Sequence, residues 1–302
     1  MVTKRGTNLN DRLIGTDDAD FLYGLGGNDL LVGDSGDDYL DGGDGNDTIN
    51  GEGGADRIFG GNGDDRINAG GEDDTVYAGA GNDNVDLGQG NDRGFGGDGN
   101  DRIVAGQGND TVDAGNGNDT VFLGSGNDLG LLGLGNDFGD AGEGNDTVSG
   151  GAGNDVMHGR EGNDVLSGDA GSDTITGGEG DDRISGGTQI DTLTGGEGAD
   201  TFVFREFASG ADRITDFVPD QSDKLEIARS ALSNLVPTGQ LDDIDFVAHA
   251  SNAATTGNAE FVYNTSTGNL YFDANGTGAG GLSLVCTLTS RPRLDFDDIV
   301  IV

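Results

Sequence analysis

The sequence has no tryptophan, and among its 302 residues cysteine, histidine, lysine, methionine and proline are almost missing too. Each absence excludes something. The single cysteine, Cys286, allows no intramolecular disulfide. No histidine lies near it in sequence to activate the thiol, so it reads as a core residue. The two histidines, His158 and His249, stand too far apart for an H-E-x-x-H zinc motif, and no G-x-S-x-G nucleophile elbow occurs. Only Lys4 and Lys224 supply lysine, and 15 basic residues face 56 acidic ones, for a formal charge of −41. Such a balance excludes nucleic acid and anionic membrane surfaces as partners, since both need clustered Lys and Arg. No apolar run approaches the ~20 residues of a membrane-spanning helix, and the opening MVTKRGTNLN lacks the apolar segment of a secretory leader. Only 32% of residues are hydrophobic. Low hydrophobicity with high net charge is the usual signature of disorder, unless the residues are ordered along the chain.

They are ordered, with a period of nine. Counting from Gly6, the sixth position is Asp11, Asp20, Asp29, Asp38, Asp47, Asp56, Asp65, Asp74, Asp83, Asp92 and Asp101, then Asp110, Asp119, Asp128, Asp137, Asp146, Asp155, Asp164, Asp173, Asp182, Asp191 and Asp200. These 22 units run without insertion to Val203. The eighth position is aliphatic almost throughout, as in Leu22, Leu31, Ile49, Ile58 and Leu193, and closes on Phe202. The unit is G-G-x-G-x-D-x-U-x, with U apolar. Positions 7–9 form a short strand from which only U points inward. Positions 1–6 must reverse the chain, and Gly at positions 1, 2 and 4, with Asn at 5, permits backbone angles closed to other residues. Two units make one flattened coil with a strand on each side. Coils stacked about 4.8 Å apart would give eleven coils and a length of about 50 Å. No proline precedes Pro219, as parallel strands inside a sheet require.

Stacking places Asp47 over Asp29 and under Asp65. Two bare columns of like charge at that spacing are destabilising. A divalent cation between successive loops reverses the sign, and carboxylates with backbone carbonyls form the oxygen set that Ca²⁺ takes. The aspartates listed above are therefore the candidate calcium ligands, bridging loop n to loop n+2, for at most about 20 ions. Binding and folding would then be one event. The nonapeptide resembles that of the RTX (hemolysin-type calcium-binding) family over about two-thirds of the chain. The resemblance implies an all-β fold, a parallel β-roll followed by a small β-rich C-terminal cap. The expected domains are an N-terminal tail over 1–5, the repeat array over 6–203 and a capping and secretion-signal region over 204–302.

Departures inside the array raise separate expectations. Between Ala69 and Ala141, position 1 turns from Gly to Ala or Leu (Leu87, Leu123, Leu132) at every unit but one, so the core there is wider. Gly94, Gly130 and Gly139 occupy the U position; Leu132 is expected to fill the space beside Gly130, and Gly94 and Gly139 have no evident filler. Tyr23, Phe59, Tyr77 and Phe95 line one outward face, where cross-strand stacking competes with binding of a glycan or partner. Arg57, Arg66, Arg93, Arg102 and Arg183 read as solvated strand residues. Thr174, Thr176, Thr192 and Thr194 form a patch too small for ice binding.

After Val203 the period stops. DRITDFVPDQSDKLEIARSAL (212–232) resembles the segment that follows RTX arrays in secreted proteases and epimerases. Residues 260–281 read as a β-hairpin, and 282–288 and 296–302 as strands. Asp273-Ala274-Asn275-Gly276 begins like an EF-hand loop but fails at Leu284, where Glu is required. The terminal DFDDIVIV resembles the uncleaved C-terminal signal of type I secretion substrates. The resemblance therefore implies a secreted, non-enzymatic calcium-binding protein. It would be exported by a type I apparatus without an N-terminal signal peptide and would serve as a structural, surface-layer, matrix or adhesive component. Two rivals are a membrane-active secreted effector, which NodO-type nodulation proteins resemble in architecture, and an accessory module for an extracellular polysaccharide-active enzyme. The last would make extracellular polysaccharide or a cell surface the partner.

Overall fold

In the computed structural model, which describes residues 1–205, 211–233, 245–249, 259–274 and 282–302, nearly every nonapeptide yields one strand and one turn. Most strands are six residues long rather than three. Thr48–Gly53, for example, covers positions 7–9 and continues through positions 1–3 of the next unit. Burial alternates along it, so Ile49 and Gly51 face inward while Thr48 and Asn50 face outward. The chain forms two compact units, Met1–Val156 and Met157–Val302.

In the first unit, odd and even strands separate into two parallel sheets. Each strand pairs with the one 18 residues away, as in Ile49↔Ile67 and Leu40↔Ile58. This register places every U residue over its column mates. Leu22, Leu31, Leu40, Ile49, Ile58 and Val76 are fully buried, as are Ala69, Ala78 and Ala105 at position 1. The interior is therefore a double ladder, one rung thick, between two sheets.

The glycines at U positions are packing partners. A Cβ on Gly94 would meet Leu87 Cδ1 at 2.9 Å, one on Gly130 would meet Leu123 Cδ1 at 3.1 Å, and one on Gly139 would meet Leu132 Cδ1 at 3.0 Å. Leu132 thus fills the space at Gly139 rather than Gly130, and Leu123 serves Gly130. In each pair a position-1 leucine on one side takes the volume that the opposite U residue gives up. The sum of volumes is kept, as dense cores require.

Residues 1–5 are not a tail. Thr3–Arg5 is a strand, paired Thr3↔Phe21, Lys4↔Leu22 and Arg5↔Tyr23. Lys4 holds the U position, which disguised the strand in the sequence. Its ammonium reaches the Ile14 carbonyl, a long side chain carrying its charge to the open end of the roll. On the outer face the aromatic residues stack. Phe59 and Tyr77 lie 5.0 Å apart at 7°, and Tyr77 and Phe95 4.8 Å apart at 6°. Tyr39 joins Tyr23 to Phe59 at 5.5 and 5.3 Å, and Phe21 joins Tyr39 at 6.0 Å. Cross-strand stacking is thus what organises this face. Two of the outward arginines are partnered as well as solvated: Arg57 lies over Phe59 and Tyr77, and Arg102 over Phe122.

In the second unit the two-sheet pattern outlasts the sequence period, so the expected boundary at 203/204 does not mark the end of the roll. Thr201–Phe204 pairs in parallel with Lys224–Ile227, which pairs in parallel with Ile299–Ile301. Thr192–Glu197 pairs with Asp212–Ile214, and that strand with Leu282–Leu288. The sheet then turns antiparallel through Asn269–Asp273 and Glu260–Asn264, the expected hairpin. Residues 275–281, with Asn275 and Gly276, lie outside the described residues. Arg183 makes a bidentate ion pair with Glu226, at 2.7 and 2.5 Å. Cys286 is fully buried, and burial pushes its thiol well above its ordinary pKa, which fits an inert core residue.

The leucine–glycine pairs give a direct test. Leu87→Ala should destabilise the calcium-loaded protein by ~2–5 kcal/mol, and Gly94→Val by ~1–3 kcal/mol. The double variant should recover most of the loss in urea or thermal unfolding. Additive losses would refute the exchange of volume.

Candidate metal centre

The turns place the oxygens. Positions 2 and 4 carry positive φ, as at Gly43 (102°) and Gly45 (128°), so glycine is needed there for its backbone range. Leu25, Asp34 and Glu52 hold position 2 at φ of 75–81° with side chains attached, which is strained. Where position 1 is glycine, the reason is a different one. A Cβ on Gly42 would run into the Asp47 carboxylate and the Gly60 carbonyl oxygen. Position 5 is also not what its sequence suggested. No described asparagine has positive φ. Instead these side chains form ladders: Asn118 N donates to Asn100 Oδ1 at 2.7 Å, and Asn136 N to Asn118 Oδ1 at 2.8 Å.

The position-6 aspartates form two columns. In the first unit one runs Asp11, Asp29, Asp47, Asp65, Asp83, Asp101, Asp119, Asp137, Asp155, and the other Asp20, Asp38, Asp56, Asp74, Asp92, Asp110, Asp128, Asp146. Each backbone N–H donates to the carboxylate one coil further on, as from Asp29 to Asp47 Oδ1 and from Asp47 to Asp65 Oδ1, both 2.7 Å. The side chains from Asp20 onward are almost wholly buried. Yet Oδ2 of Asp29, Asp38, Asp47, Asp56, Asp65, Asp74 and their successors to Asp137 accepts no hydrogen bond. A buried carboxylate oxygen without a donor is costly. These oxygens also converge on others: Asp47 Oδ2 with the Gly60 carbonyl at Gly42, and Asp56 Oδ2 with the Ala69 carbonyl at Gly51. The Gly43 and Gly45 carbonyls likewise face Gly61 and Gly63 of the next coil.

Two stacked carboxylates and several carbonyls form an all-oxygen donor set, which suits a hard cation such as Ca²⁺. Among the described residues no group of three or more His, Cys, Asp or Glu side chains could hold a metal by themselves. The backbone must complete the ligand set, as the sequence implied. The residues present fit calcium by chemistry, charge and the orphaned oxygens.

Electrostatics carries the same strain. Burial pushes the carboxyl of Asp47 up to about 6, Asp65 to about 7 and Asp74 to about 8. The hydrogen bond from the preceding coil pulls each down, and neighbouring column carboxylates push it up again.

The first loop of each column differs. Asp11 Oδ2 accepts from Thr7 N and Thr7 Oγ1 at 2.6 and 2.8 Å, and Asp20 Oδ2 from Thr16 Oγ1 at 2.9 Å. Burial pushes Asp20 up, but hydrogen bonds from Val2 and Thr16 outweigh it and hold its carboxyl below the ordinary value. Threonine at position 2 thus occupies the oxygen that later loops leave bare.

In the second unit Asp164, Asp182 and Asp200 form one column, with Asp173 and Asp191 in the other. Two residues outside the period join them. Asp191 N donates to Asp212 Oδ1 and Asp200 N to Asp223 Oδ1, each at 3.1 Å. Their spacings of 21 and 23 residues broke the count of nine. The available signal was the Asp-x-apolar pattern of Asp212-Arg213-Ile214 and Asp223-Lys224-Leu225, which repeats positions 6–8.

A family model described as the RTX calcium-binding nonapeptide repeat matches residues 5–40, 32–67, 59–93, 95–129, 132–166, 158–193 and 176–205. Among solved structures, the chain is similar to the AlgE6R2 subunit of a mannuronan C5-epimerase from Azotobacter vinelandii. Identity is 30%, over 51% of this chain and 91% of that one, with a TM-score of 0.32. It is also similar to the AlgE6R3 subunit of the epimerase from the same organism, at 29% identity over 52% and 78%, with a TM-score of 0.20. No curated protein matches the chain.

Two predictions follow from the columns. Asp65→Asn should raise the calcium midpoint of folding two- to tenfold and lower the number of ions bound, whereas Asp64→Asn, on the exposed ladder, should change neither. Equilibrium dialysis and circular dichroism measure both. The second concerns pH. Column carboxyls raised from about 4 to 6–8 bind protons more tightly in the folded, ion-free chain than in the unfolded one. The stability they contribute is therefore greatest below pH 4 and is lost as pH rises through 6–8. In dialysed, calcium-free protein, β-structure should increase as pH falls from 8 to 5. With calcium present the sign reverses, because protons compete for the ligands, and the calcium midpoint should rise on acidification.

Proposed function

The chain belongs to the RTX calcium-binding nonapeptide repeat family, and from that footing we propose that it is a secreted, non-enzymatic protein that folds on binding calcium outside the cell. Its role on this reading is a structural, surface-layer, matrix or adhesive component. The observation that carries the proposal is the pair of buried aspartate columns, in which Oδ2 of each aspartate from Asp29 to Asp137 takes no hydrogen bond. A chain with a formal charge of −41 and this arrangement gains its compact state from divalent cations. Calcium is scarce in cytosol and abundant outside, so the same chemistry favours an expanded chain before export and a folded one after it.

Export by a type I apparatus rests on the C-terminal sequence. Asp295 accepts from Asp297 N at 3.0 Å and heads a capped turn over Phe296–Asp298, and Ile299–Ile301 follows as a strand beside Lys224–Ile227. Among the described residues that strand lies at the sheet edge, where a terminal segment can be read in extended form before it pairs. Among the described residues no helix is long and apolar enough to cross a membrane.

The test is calcium titration of protein stripped with EDTA. Circular dichroism should change from coil to β-sheet, with a fall in radius of gyration by X-ray scattering, at millimolar calcium and not at equal magnesium. Spectra unchanged by calcium would overturn the reading of calcium-driven folding. Removing residues 295–302 should abolish export from cells that carry a type I apparatus while leaving the calcium transition of the purified protein in place.

A further inference from the structure

The aromatic ladder of the first unit stops abruptly. Tyr77 and Phe95 stack nearly parallel, 4.8 Å apart. The next strand places Asp113 opposite Phe95, so no ring continues the stack on that side. The step from a large ring to a short carboxylate opens a surface cleft of about 410 Å³. Phe95 and Asp113 form one wall. Asp98 and Asn116, joined by an amide-to-carboxylate hydrogen bond of 2.7 Å, form the other, and Gly97 and Gly115 make the floor. Both glycines have positive φ, at 112° and 101°, so the floor is held open by backbone that side chains rarely adopt.

We propose that this cleft binds a pyranose ring that lacks a carboxylate, in a neutral or amino-sugar glycan. Three observations select that class. The stack has a repeat of about one strand spacing, and a six-membered ring laid on Phe95 would occupy the rung that Asp113 leaves vacant. The C–H bonds of a sugar face are polarised positive by the ring oxygens and complement the negative face of an aromatic ring. Each wall offers an acceptor, Asp113 on one and Asp98 on the other, which suits a ligand ringed with O–H or N–H donors. A purely aromatic ligand would leave these carboxylates facing apolar edge, and a uronate would place like charges together. The cleft is separate from the aspartate columns and goes beyond the calcium-dependent role proposed above.

The experiment is titration calorimetry of the full chain in millimolar calcium with cellohexaose, a glucosamine hexamer and an oligouronate. The first two should bind, the glucosamine oligomer more tightly, and the oligouronate should not. Phe95→Ala should weaken binding at least tenfold. Because that variant removes part of a stack, Asp113→Phe provides a second arm: it extends the ladder, fills the cleft and should abolish binding while calcium-induced circular dichroism stays as in the parent. Absence of binding by the parent, binding unaffected by Asp113→Phe, or preference for the uronate would overturn the proposal. The circular dichroism control separates this from failure of calcium-driven folding.

Discussion

The rest of the structure turns on one constraint, the burial of carboxylates stacked one coil apart, to whose cost their mutual repulsion adds. The apolar ladder is a single rung deep, and the sheet hydrogen bonds replace bonds to water at small net gain. Whether the columns stabilise or disrupt the roll is decided by what stands between them. Protons relieve the strain partly, as the raised carboxyl pKa values indicate. A divalent cation held by the same carboxylates and the turn carbonyls would neutralise two of these charges at once. The stability of the roll is thereby tied to the charge state of the columns as well as to burial of apolar area.

Much of this was legible in the sequence because a solenoid makes distance along the chain equal to distance in space. Eighteen residues became one coil, and every residue of type U fell on its column mate. Hence the parallel roll, the two aspartate columns and the inward position 1 could be read directly. What could not be read were features that depend on contacts across the roll or on breaks in the period. Leu87 beside Gly94 is a contact between opposite sheets, seven residues apart, and no repeat position announces it. Lys4 at a U position looked like solvent-exposed tail, though its backbone pairs as any other strand. Asp212 and Asp223 were hidden by insertions that changed the spacing and not the local pattern.

The glycines show how one residue type answers different demands within nine positions. At positions 2 and 4 the backbone angle is the constraint, while at position 1 the constraint is the neighbouring carboxylate. That difference explains the tolerance of the array. Leu25, Asp34 and Glu52 endure strain at position 2, whereas position 1 accepts Ala or Leu along a whole stretch where the interior widens. At U, glycine answers a third demand, room for a leucine from across the core.

The hydrogen bonds between coils point in opposite senses. Asparagine side chains accept from the coil that follows, and aspartate side chains accept from the coil that precedes. A coil is therefore incomplete on both sides, but not equally. Its aspartate N–H is buried and finds a carboxylate downstream, whereas at the upstream end Asp20 Oδ1 is met by the Val2 N–H, and threonine hydroxyls take Oδ2 of Asp11 and Asp20. The array thus has a polarity: a backbone N–H and two threonines meet its first carboxylates, and further carboxylates meet its last N–H groups. Asp212 and Asp223 supply those last carboxylates, so the irregular segment completes both columns where the period itself has run out.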